Sequence, residues 1–230
     1  MARWTVKNIW IAGAGSGIGK TLLEELTKRN NLFTIGCSRR GISLSSKLET
    51  GVNYKIDLTK EEEIIYFLEK IHEYLGKLDG VYITLGDGLF SSIEKISLEA
   101  WQNHIHLNLT VPFLILKNLR NFLTTESFVC ILSSTASKVG FPDSSAYCAS
   151  KHGVLGLTKA IREEWKPHKI RVFNVSAGAI YTPIWENRTE FDREDMIPVE
   201  DFVKFLASFV DLPYSINLDD VYVLPIKGIL

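Results

Sequence analysis

Residues 7–26 read KNIWIAGAGSGIGKTLLEEL, and this stretch decides the fold. Its first part is rich in isoleucine and other apolar side chains, which predicts a strand over residues 7–12. Residues 17–29 carry four apolar side chains at helical spacing, which predicts a helix. The glycine-rich turn at residues 13–19 lets the backbone approach a phosphate closely, next to the free N–H groups of a helix N-terminus.

The rest of the chain continues this alternation of short apolar strands and longer helices. Such an order indicates βαβ units, and almost wholly apolar strands are typical of parallel sheets covered on both faces. We therefore expect an α/β fold: a doubly wound, Rossmann-type parallel β-sheet of about seven strands with helices on both faces, in a single domain over residues 1–230. The further predicted strands are 32–37, 53–57, 80–85, 128–133, 171–177 and 221–224, and the further helices are 59–75, 98–123 (with Pro112 as the point of a break), 145–166 and 199–210.

Composition excludes several classes of protein. The 230 residues are 46% hydrophobic and 23% charged, as in an ordinary globular protein, and a net charge of −1 argues against nucleic-acid binding. Three widely spaced cysteines exclude a disulfide framework and fit a reducing compartment. No apolar run approaches the roughly 18 residues of a membrane span, and Lys7 interrupts any signal-peptide core. We expect a cytoplasmic protein without membrane or nucleic-acid partners.

Two features indicate how a nucleotide would bind: the spacing of the glycines and the residues at the end of the second strand. Gly13, Gly17 and Gly19 follow the pattern G-x-x-x-G-x-G. The second strand ends in Cys37-Ser38-Arg39-Arg40 and lacks the acid that would bind the ribose 2′-hydroxyl of NAD. A guanidinium suits a 2′-phosphate instead, so this ending favours NADP(H). Solvated loop arginines would explain the same residues and leave NAD open.

A tyrosine and a lysine lie four residues apart in the helix predicted over 145–166. This spacing puts Tyr147 and Lys151 on one helix face, where an ammonium group lowers the pKa of a phenol and suits it to general acid–base work. The preceding strand ends in Ser133-Ser134, where a hydroxyl could hold a substrate carbonyl. Asp57 ends another strand and could accept a hydrogen bond from an adenine amino group or cap the next helix.

These motifs, in this order over nearly the whole chain, resemble those of the short-chain dehydrogenase/reductase family. The resemblance implies an NADPH-dependent oxidoreductase that reduces a ketone or aldehyde to an alcohol. We expect no metal site, because His104 and His106 are two residues apart and point to different sides of a helix. The resemblance implies the catalytic residues Asn108, Ser134, Tyr147 and Lys151. The cofactor-binding residues that it implies, with the neighbours that line the same turns, are Gly13, Gly15, Ser16, Gly17, Ile18, Gly19, Ser38, Arg39, Asp57, Leu58, Leu85, Gly86, Tyr147, Lys151, Gly178, Ile180 and Thr182.

The chain departs from the family pattern where Ile83-Thr84-Leu85-Gly86 replaces Asn-Asn-Ala-Gly. The lost asparagines motivate a second hypothesis, an NADP(H)-binding regulatory or scaffold protein without significant turnover. An NAD-linked alcohol dehydrogenase is a third.

Substrate specificity is expected in the segment that follows Thr182. Phe90, Phe141 and Trp185 suggest an apolar wall, to which Asp143 and Arg188 would add polarity, and the short chain suggests an open cleft. The family resemblance also implies a homodimer or homotetramer, paired through the helices predicted over 98–123 and 145–166.

Overall fold

Apolar strands and amphipathic helices alternate along the chain in a computed structural model that describes residues 6–44, 47–185 and 192–229. The strands are β1 (Lys7–Ala12), β2 (Leu32–Ser38), β3 (Asn53–Lys55), β4 (Leu78–Ile83), β5 (Leu123–Ser134), β6 (Arg171–Ala177), β7 (Ile180–Tyr181), β8 (Ile197–Pro198) and β9 (Asp220–Val223). The helices are α1 (Gly17–Thr27), α2 (Glu61–Leu75), α3 (Leu98–Ile105), α4 (Val111–Leu119), α5 (Ser145–Trp165) and α6 (Val199–Ala207).

Seven strands form one parallel sheet in the order β3-β2-β1-β4-β5-β6-β9. This confirms the predicted doubly wound α/β class. The strand order reverses between β1 and β4, and ligands of such sheets bind beyond the carboxyl ends of the strands at that point. Ala12, the last residue of β1, lies opposite Cys37 of β2 and Ile83 of β4, so these three strands end side by side.

Two apolar cores cover the two faces of the sheet, because successive side chains of a strand point to opposite faces. Trp10 of β1 belongs to the core under α2, α4 and α5, where its ring meets Phe67 edge-on at 5.9 Å. Ile9 and Ile11 belong to the core under α1 and α6. All three side chains are fully buried, which explains why β1 is apolar on both faces.

The helix predicted over 98–123 is wrong in its extent. The structure has α3, a π-helical turn at His106–Thr110 and then α4, and the chain is already in strand β5 at Leu123. Pro112 lies in the first turn of α4, where proline is tolerated. It has no N–H to donate to the carbonyl of Asn108, four residues earlier, and this interrupts the regular helix before the proline rather than at it.

Other predicted bounds shift by a few residues. Strand β4 occupies Leu78–Ile83 rather than 80–85, and β5 begins five residues before the predicted 128. The small sheet of β7 and β8 was not predicted, because two-residue strands carry no periodic signal. Within the described ranges, no helix combines the length and the apolarity that crossing a bilayer requires.

The start of α1 is packed against the ends of two strands without room for a side chain. A Cβ on Gly19 would lie 2.3 Å from the carbonyl oxygen of Gly13 and 2.5 Å from Oγ1 of Thr84. A methyl group therefore forces the helix away from the sheet. By contrast, a Cβ on the exposed Gly140 would meet nothing within 4 Å.

We predict that Gly19→Ala lowers the free energy of unfolding by roughly 1–3 kcal/mol, because the added methyl overpacks this contact. Gly140→Ala serves as the control and is expected to change the free energy by less than about 1 kcal/mol. Urea denaturation of both variants measures the two changes. Equal stability of Gly19→Ala and the unmodified protein would contradict the packing described.

Candidate active site

A cleft of about 800 Å³ opens at the carboxyl ends of the central strands. The sequence-predicted residues that line it are Gly13, Gly15, Ser16, Gly17, Ile18, Ser38, Arg39, Asp57, Leu58, Leu85, Gly86, Ser134, Tyr147, Lys151, Gly178, Ile180 and Thr182. Gly19 and Asn108 are not among the lining residues and lie behind the wall. Among the described residues, no group of three or more His, Cys, Asp or Glu side chains is placed to hold a metal ion.

The glycine turn is held between β2 and β4. Gly13 has a positive φ of +101°, and a Cβ there would lie 2.7 Å from the backbone nitrogen of Leu85. The backbone N–H groups of Gly13 and Ala14 both donate to the carbonyl of Cys37, at 3.0 and 3.1 Å. Ser16 precedes α1 without capping it through its side chain, so the first turn of this helix suits an anionic group.

Thr84 occupies one of the two positions where the family pattern has asparagine. Its backbone N–H and its hydroxyl both donate to the carbonyl of Ala12, at 2.9 and 3.0 Å. The hydroxyl therefore ties the end of β4 to the end of β1. Gly19 packs against this hydroxyl from α1 and does not line the cleft, and its role in cofactor binding stays a prediction.

The end of β2 carries two arginines on the cleft, and the sequence-based choice of Arg39 alone was incomplete. Arg40 donates from Nη2 to Oγ of Ser16 at 3.1 Å, which brings its guanidinium to the glycine turn. Oγ of Ser38 accepts hydrogen bonds from the backbone N–H of Arg40 at 3.2 Å and from Nδ2 of Asn53 at 2.9 Å. These contacts leave the hydroxyl hydrogen of Ser38 for a ligand.

Asp57 lines the cleft and also organises the start of α2. Its Oδ1 accepts hydrogen bonds from the backbone N–H and the hydroxyl of Thr59, at 3.1 and 2.7 Å. Burial by itself raises the pKa of Asp57, but these two hydrogen bonds, with the charges of Lys60 and Arg39, outweigh it and hold the pKa below its ordinary value. The carboxylate is therefore ionised over the physiological range.

Ser134, Tyr147 and Lys151 come together where β5 ends beside the first turns of α5. The hydroxyl of Ser134 is placed to lower the pKa of Tyr147 through a side-chain hydrogen bond, and Nζ of Lys151 lies 5.6 Å from the centre of the Tyr147 ring. Oγ of Ser133 is buried with no hydrogen-bond partner among the described residues. The geometry thus favours Ser134 over Ser133 as the serine that shares a ligand with Tyr147.

The expected lowering of the Tyr147 pKa is not met in this structure. Burial raises the pKa of Tyr147 above its ordinary value, and the hydrogen bond with Ser134 opposes this only in part. Burial also lowers the pKa of Lys151 to about 8. Desolvation disfavours the charged form of both groups, so the tyrosine remains a protonated phenol at neutral pH.

Asn108 lies in the π-helical turn, fully buried behind the cleft. Its Oδ1 accepts the backbone N–H of Asp87 at 3.1 Å, and its Nδ2 donates to the carbonyl of His104 at 3.1 Å. A Cβ on Gly86 would lie 2.9 Å from Oδ1 of Asn108 and 3.4 Å from Nζ of Lys151. The asparagine oxygen and the ammonium group therefore approach the same glycine.

The outer wall of the cleft is apolar, as predicted. Phe90, Phe141 and Trp185 line it, and the Phe90 ring lies 5.5 Å from that of Tyr147. Ile229 also lines it, so the C-terminal segment narrows a cleft that was expected to be open there.

The two residues expected to add polarity to this wall do not do so in the described structure. Asp143 is absent from the lining and its side chain is exposed to solvent; its backbone is left-handed (φ +53°) and its carbonyl accepts the N–H of Ser91. Arg188 falls outside the described residues.

Known proteins resemble this chain in sequence over most of its length. A sequence model described as short chain dehydrogenase matches residues 7–193. A short-chain dehydrogenase/reductase, ABA4, from Pyricularia oryzae is 32% identical over 189 residues, which cover 76% of this chain and 70% of that protein. Levodione reductase from Leifsonia aquatica is 27% identical over 196 residues, covering 80% of this chain and 73% of the reductase.

The fold has a close counterpart among solved structures. The alcohol dehydrogenase from the archaeon Thermococcus sibiricus, complexed with 5-hydroxy-NADP, superposes with a TM-score of 0.84 at 22% identity. The alignment covers 96% of this chain and 97% of that one. At 22% identity, this likeness shows a shared fold and nothing more specific.

We predict that Asp57→Asn makes stability less sensitive to acid. The ionised carboxylate stabilises the fold above its unfolded pKa of about 3.9, and this contribution is lost as pH falls through the lower folded pKa. Asparagine keeps the acceptor oxygen but does not titrate. Urea unfolding at about pH 5 and about pH 2.5 should show a smaller loss of stability for Asp57→Asn than for the unmodified protein. Identical losses would contradict the role given to the Thr59 hydrogen bonds.

Proposed function

The chain belongs to the short-chain dehydrogenase/reductase family of NAD(P)-dependent oxidoreductases, and we propose that it reduces a ketone or aldehyde to an alcohol with NADPH. The observation that carries this proposal is the meeting of Ser134, Tyr147 and Lys151 at the end of β5, beside the glycine turn. Levodione reductase, at 27% identity, is a reductase by name and supports the direction.

The residues of the cleft fit a dinucleotide with a 2′-phosphate. The glycine turn has no room for side chains: a Cβ on Gly15 would lie 2.7 Å from Oγ of Ser38. Arg39, Arg40 and Ser38 would hold the 2′-phosphate, where an NAD-binding protein presents an acid. The structural relative from Thermococcus sibiricus was complexed with 5-hydroxy-NADP, which supports the same choice. Gly178, Ile180 and Thr182 would face the nicotinamide carboxamide.

The chemistry follows from the hydroxyl pair. When bound, NADPH supplies the hydride that attacks the carbonyl carbon. Tyr147 then gives its phenol proton to the oxygen on which charge develops. Ser134 donates a hydrogen bond to the same oxygen and stabilises that charge. The raised pKa of Tyr147 suits this direction, because the phenol holds its proton until the alkoxide forms.

Lys151 and Asn108 would restore the proton. The ammonium group beside Tyr147 stabilises the phenolate that is left after proton transfer and would bind the nicotinamide ribose hydroxyls. Because Oδ1 of Asn108 and Nζ of Lys151 approach the same Gly86, a water held between them would link the lysine to solvent. Asn108 would thus act through Lys151 without touching the substrate.

We also propose that the substrate is a small carbonyl compound with an apolar or aromatic part, since Phe90, Phe141 and Trp185 form the outer wall. Assembly as a homodimer or homotetramer and a cytoplasmic location remain proposals from the sequence. Leu98 and Phe113, exposed at 71% and 45%, offer apolar surface on α3 and α4 for a second copy of the chain.

We predict that Tyr147→Phe lowers kcat for NADPH-dependent carbonyl reduction by about 10²–10⁴-fold, because the proton donor is removed while the ring is kept. The measurement is NADPH oxidation against a panel of ketones and aldehydes, with NADPH binding followed by fluorescence. Tyr66→Phe, on the exposed face of α2, is the matched control and should retain full activity. Undiminished turnover by Tyr147→Phe would contradict the mechanism.

A protein that binds NADPH tightly but turns over no compound of the panel would contradict the proposed reductase and support an NADP(H)-binding regulator. The hydrogen bonds that Thr84 makes in place of asparagine weigh against that reading, since they restore the link between β1 and β4.

We predict that Arg39→Ala and Arg40→Ala each weaken NADPH binding by roughly tenfold, because each removes a charge-assisted contact to the 2′-phosphate. NADH binding should change little, since NADH lacks that phosphate. Lys28→Ala, an exposed charge at the far end of α1, controls for net charge. Titration of both nucleotides measures the ratio. Equal effects on NADPH and NADH, or a preference of the unmodified protein for NADH, would contradict the assignment.

A further inference from the structure

A buried histidine lies directly behind the proposed catalytic residues, and no step described above uses it. His104 is in the last turn of α3 and is 7% exposed. Nδ2 of Asn108 lies 3.3 Å from its Nδ1 and 3.4 Å from its Nε2, and the Tyr147 ring lies 6.1 Å from the imidazole ring. On its other side, Nε2 lies 3.5 Å from Oγ of Ser150 on α5. His104 thus bridges α3 to the helix that carries Tyr147 and Lys151.

The donors around His104 fix which ring nitrogen carries the hydrogen. The hydroxyl of Ser150 spends its hydrogen on the carbonyl of Tyr147, at 2.8 Å. At the imidazole, Oγ of Ser150 can therefore only accept, so Nε2 of His104 carries the hydrogen and Nδ1 is the free acceptor. Nδ2 of Asn108 is within reach of that acceptor: one of its hydrogens goes to the carbonyl of His104, which leaves the other for the ring, and Nδ2 lies 3.3 Å from Nδ1 and 3.4 Å from Nε2.

The orientation of the Asn108 carboxamide is also fixed by the hydrogen bond that its oxygen accepts. Its Oδ1 accepts the backbone N–H of Asp87, so the amide cannot be flipped without setting two donors against each other. The hydrogen bonds run in one direction, from Asp87 through Asn108 and His104 to Ser150 and the carbonyl of Tyr147. Every member is satisfied only when the imidazole is neutral.

We propose that His104 is a positioning residue: its neutral imidazole holds the Asn108 carboxamide with the oxygen toward Lys151, and protonation of His104 releases it. This deepens the proposed reductase function and rests on it, because Asn108 acts there by holding a water that links Lys151 to solvent. A protonated imidazole presents a hydrogen at Nδ1 to the donor Nδ2 of Asn108, and a flipped carboxamide would present Nδ2 to the N–H of Asp87.

Three titratable groups face His104 from the elements packed around it. Lys151 and Tyr147 belong to α5, and Asp87 belongs to the segment after β4. Burial, then the charge of Lys151, lower the pKa of His104 below its ordinary value of 6.5, and Asp87 opposes this. The neutral imidazole is thus the resting form at neutral pH, and we expect Asn108 to be released as pH falls below 6.5.

The direct test is a ¹⁵N NMR titration of the imidazoles of the full chain, with His104→Gln used to assign the signal. The expected result is a neutral imidazole with the hydrogen on Nε2 and a midpoint below 6.5. A hydrogen on Nδ1, or a midpoint above 6.5, overturns the proposal. This readout does not depend on turnover, so it decides the assignment even if no carbonyl compound of the panel is reduced, which would overturn the proposed function instead.

The kinetic test compares pH profiles of kcat. His104→Leu removes the acceptor and should lower kcat by roughly ten- to hundredfold with the KM for NADPH unchanged, because Asn108 is misplaced and the cofactor contacts are not. His104→Gln offers a non-titrating acceptor and should restore most of kcat while losing the fall on the acid side. His152→Gln, at an exposed histidine beside Lys151, is the control and should keep the unmodified profile.

Two results overturn the positioning role. One is an unmodified kcat profile in both His104 variants. The other is a loss that appears only in the KM for NADPH, since this would make His104 a support of the cofactor cleft. If His104→Leu fails to fold, the profile of His104→Gln decides alone: loss of the acid-side fall supports the proposal, and its retention overturns it.

Discussion

The parallel pairing of β1 with β2 on one side and β4 on the other is the constraint on which the rest of the structure depends. It brings three strand ends together, and three connections must leave this edge without colliding. Gly13 meets this demand with a positive φ and no side chain: a Cβ there would lie 2.7 Å from the backbone nitrogen of Leu85. Gly19 then allows α1 to begin directly above the turn. The cleft proposed to accept the cofactor is the space left where these connections diverge.

Burial at the far side of this cleft would set the proton chemistry of the proposed reaction. The same desolvation raises the pKa of Tyr147 and lowers that of Lys151 to about 8, so a phenol that holds its proton lies beside an ammonium group close to giving one up. In such a pair, Tyr147 is suited to deliver its proton as an alkoxide forms, and Lys151 is suited to return a proton to the phenolate that is left. Asn108 and His104, further inside, would govern the second half of that exchange.

Local patterns in the sequence predicted the parts that depend on local spacing. Tyr147 and Lys151 lie four apart on a helix, so their shared face follows from the periodicity alone. Contacts between distant segments were not predictable in this way. Nothing in the sequence indicates that Arg40 rather than its neighbour turns to the glycine turn, because that depends on where β2 ends beside α1. His104 reads as an ordinary core histidine until α5 brings Ser150 against its ring.

In the proposed reaction, the hydride goes to the carbonyl carbon and the Tyr147 proton goes to the carbonyl oxygen at one end of the cleft, while the 2′-phosphate is held at the other end. A crystal structure of the chain with NADPH and an unreactive alcohol tests this most directly. We expect the nicotinamide ribose hydroxyls to contact Tyr147 and Lys151, the alcohol oxygen to contact Ser134 and Tyr147, and the 2′-phosphate to lie between Arg39 and Arg40. A nicotinamide ring bound away from Tyr147, or a 2′-phosphate in solvent, would contradict it.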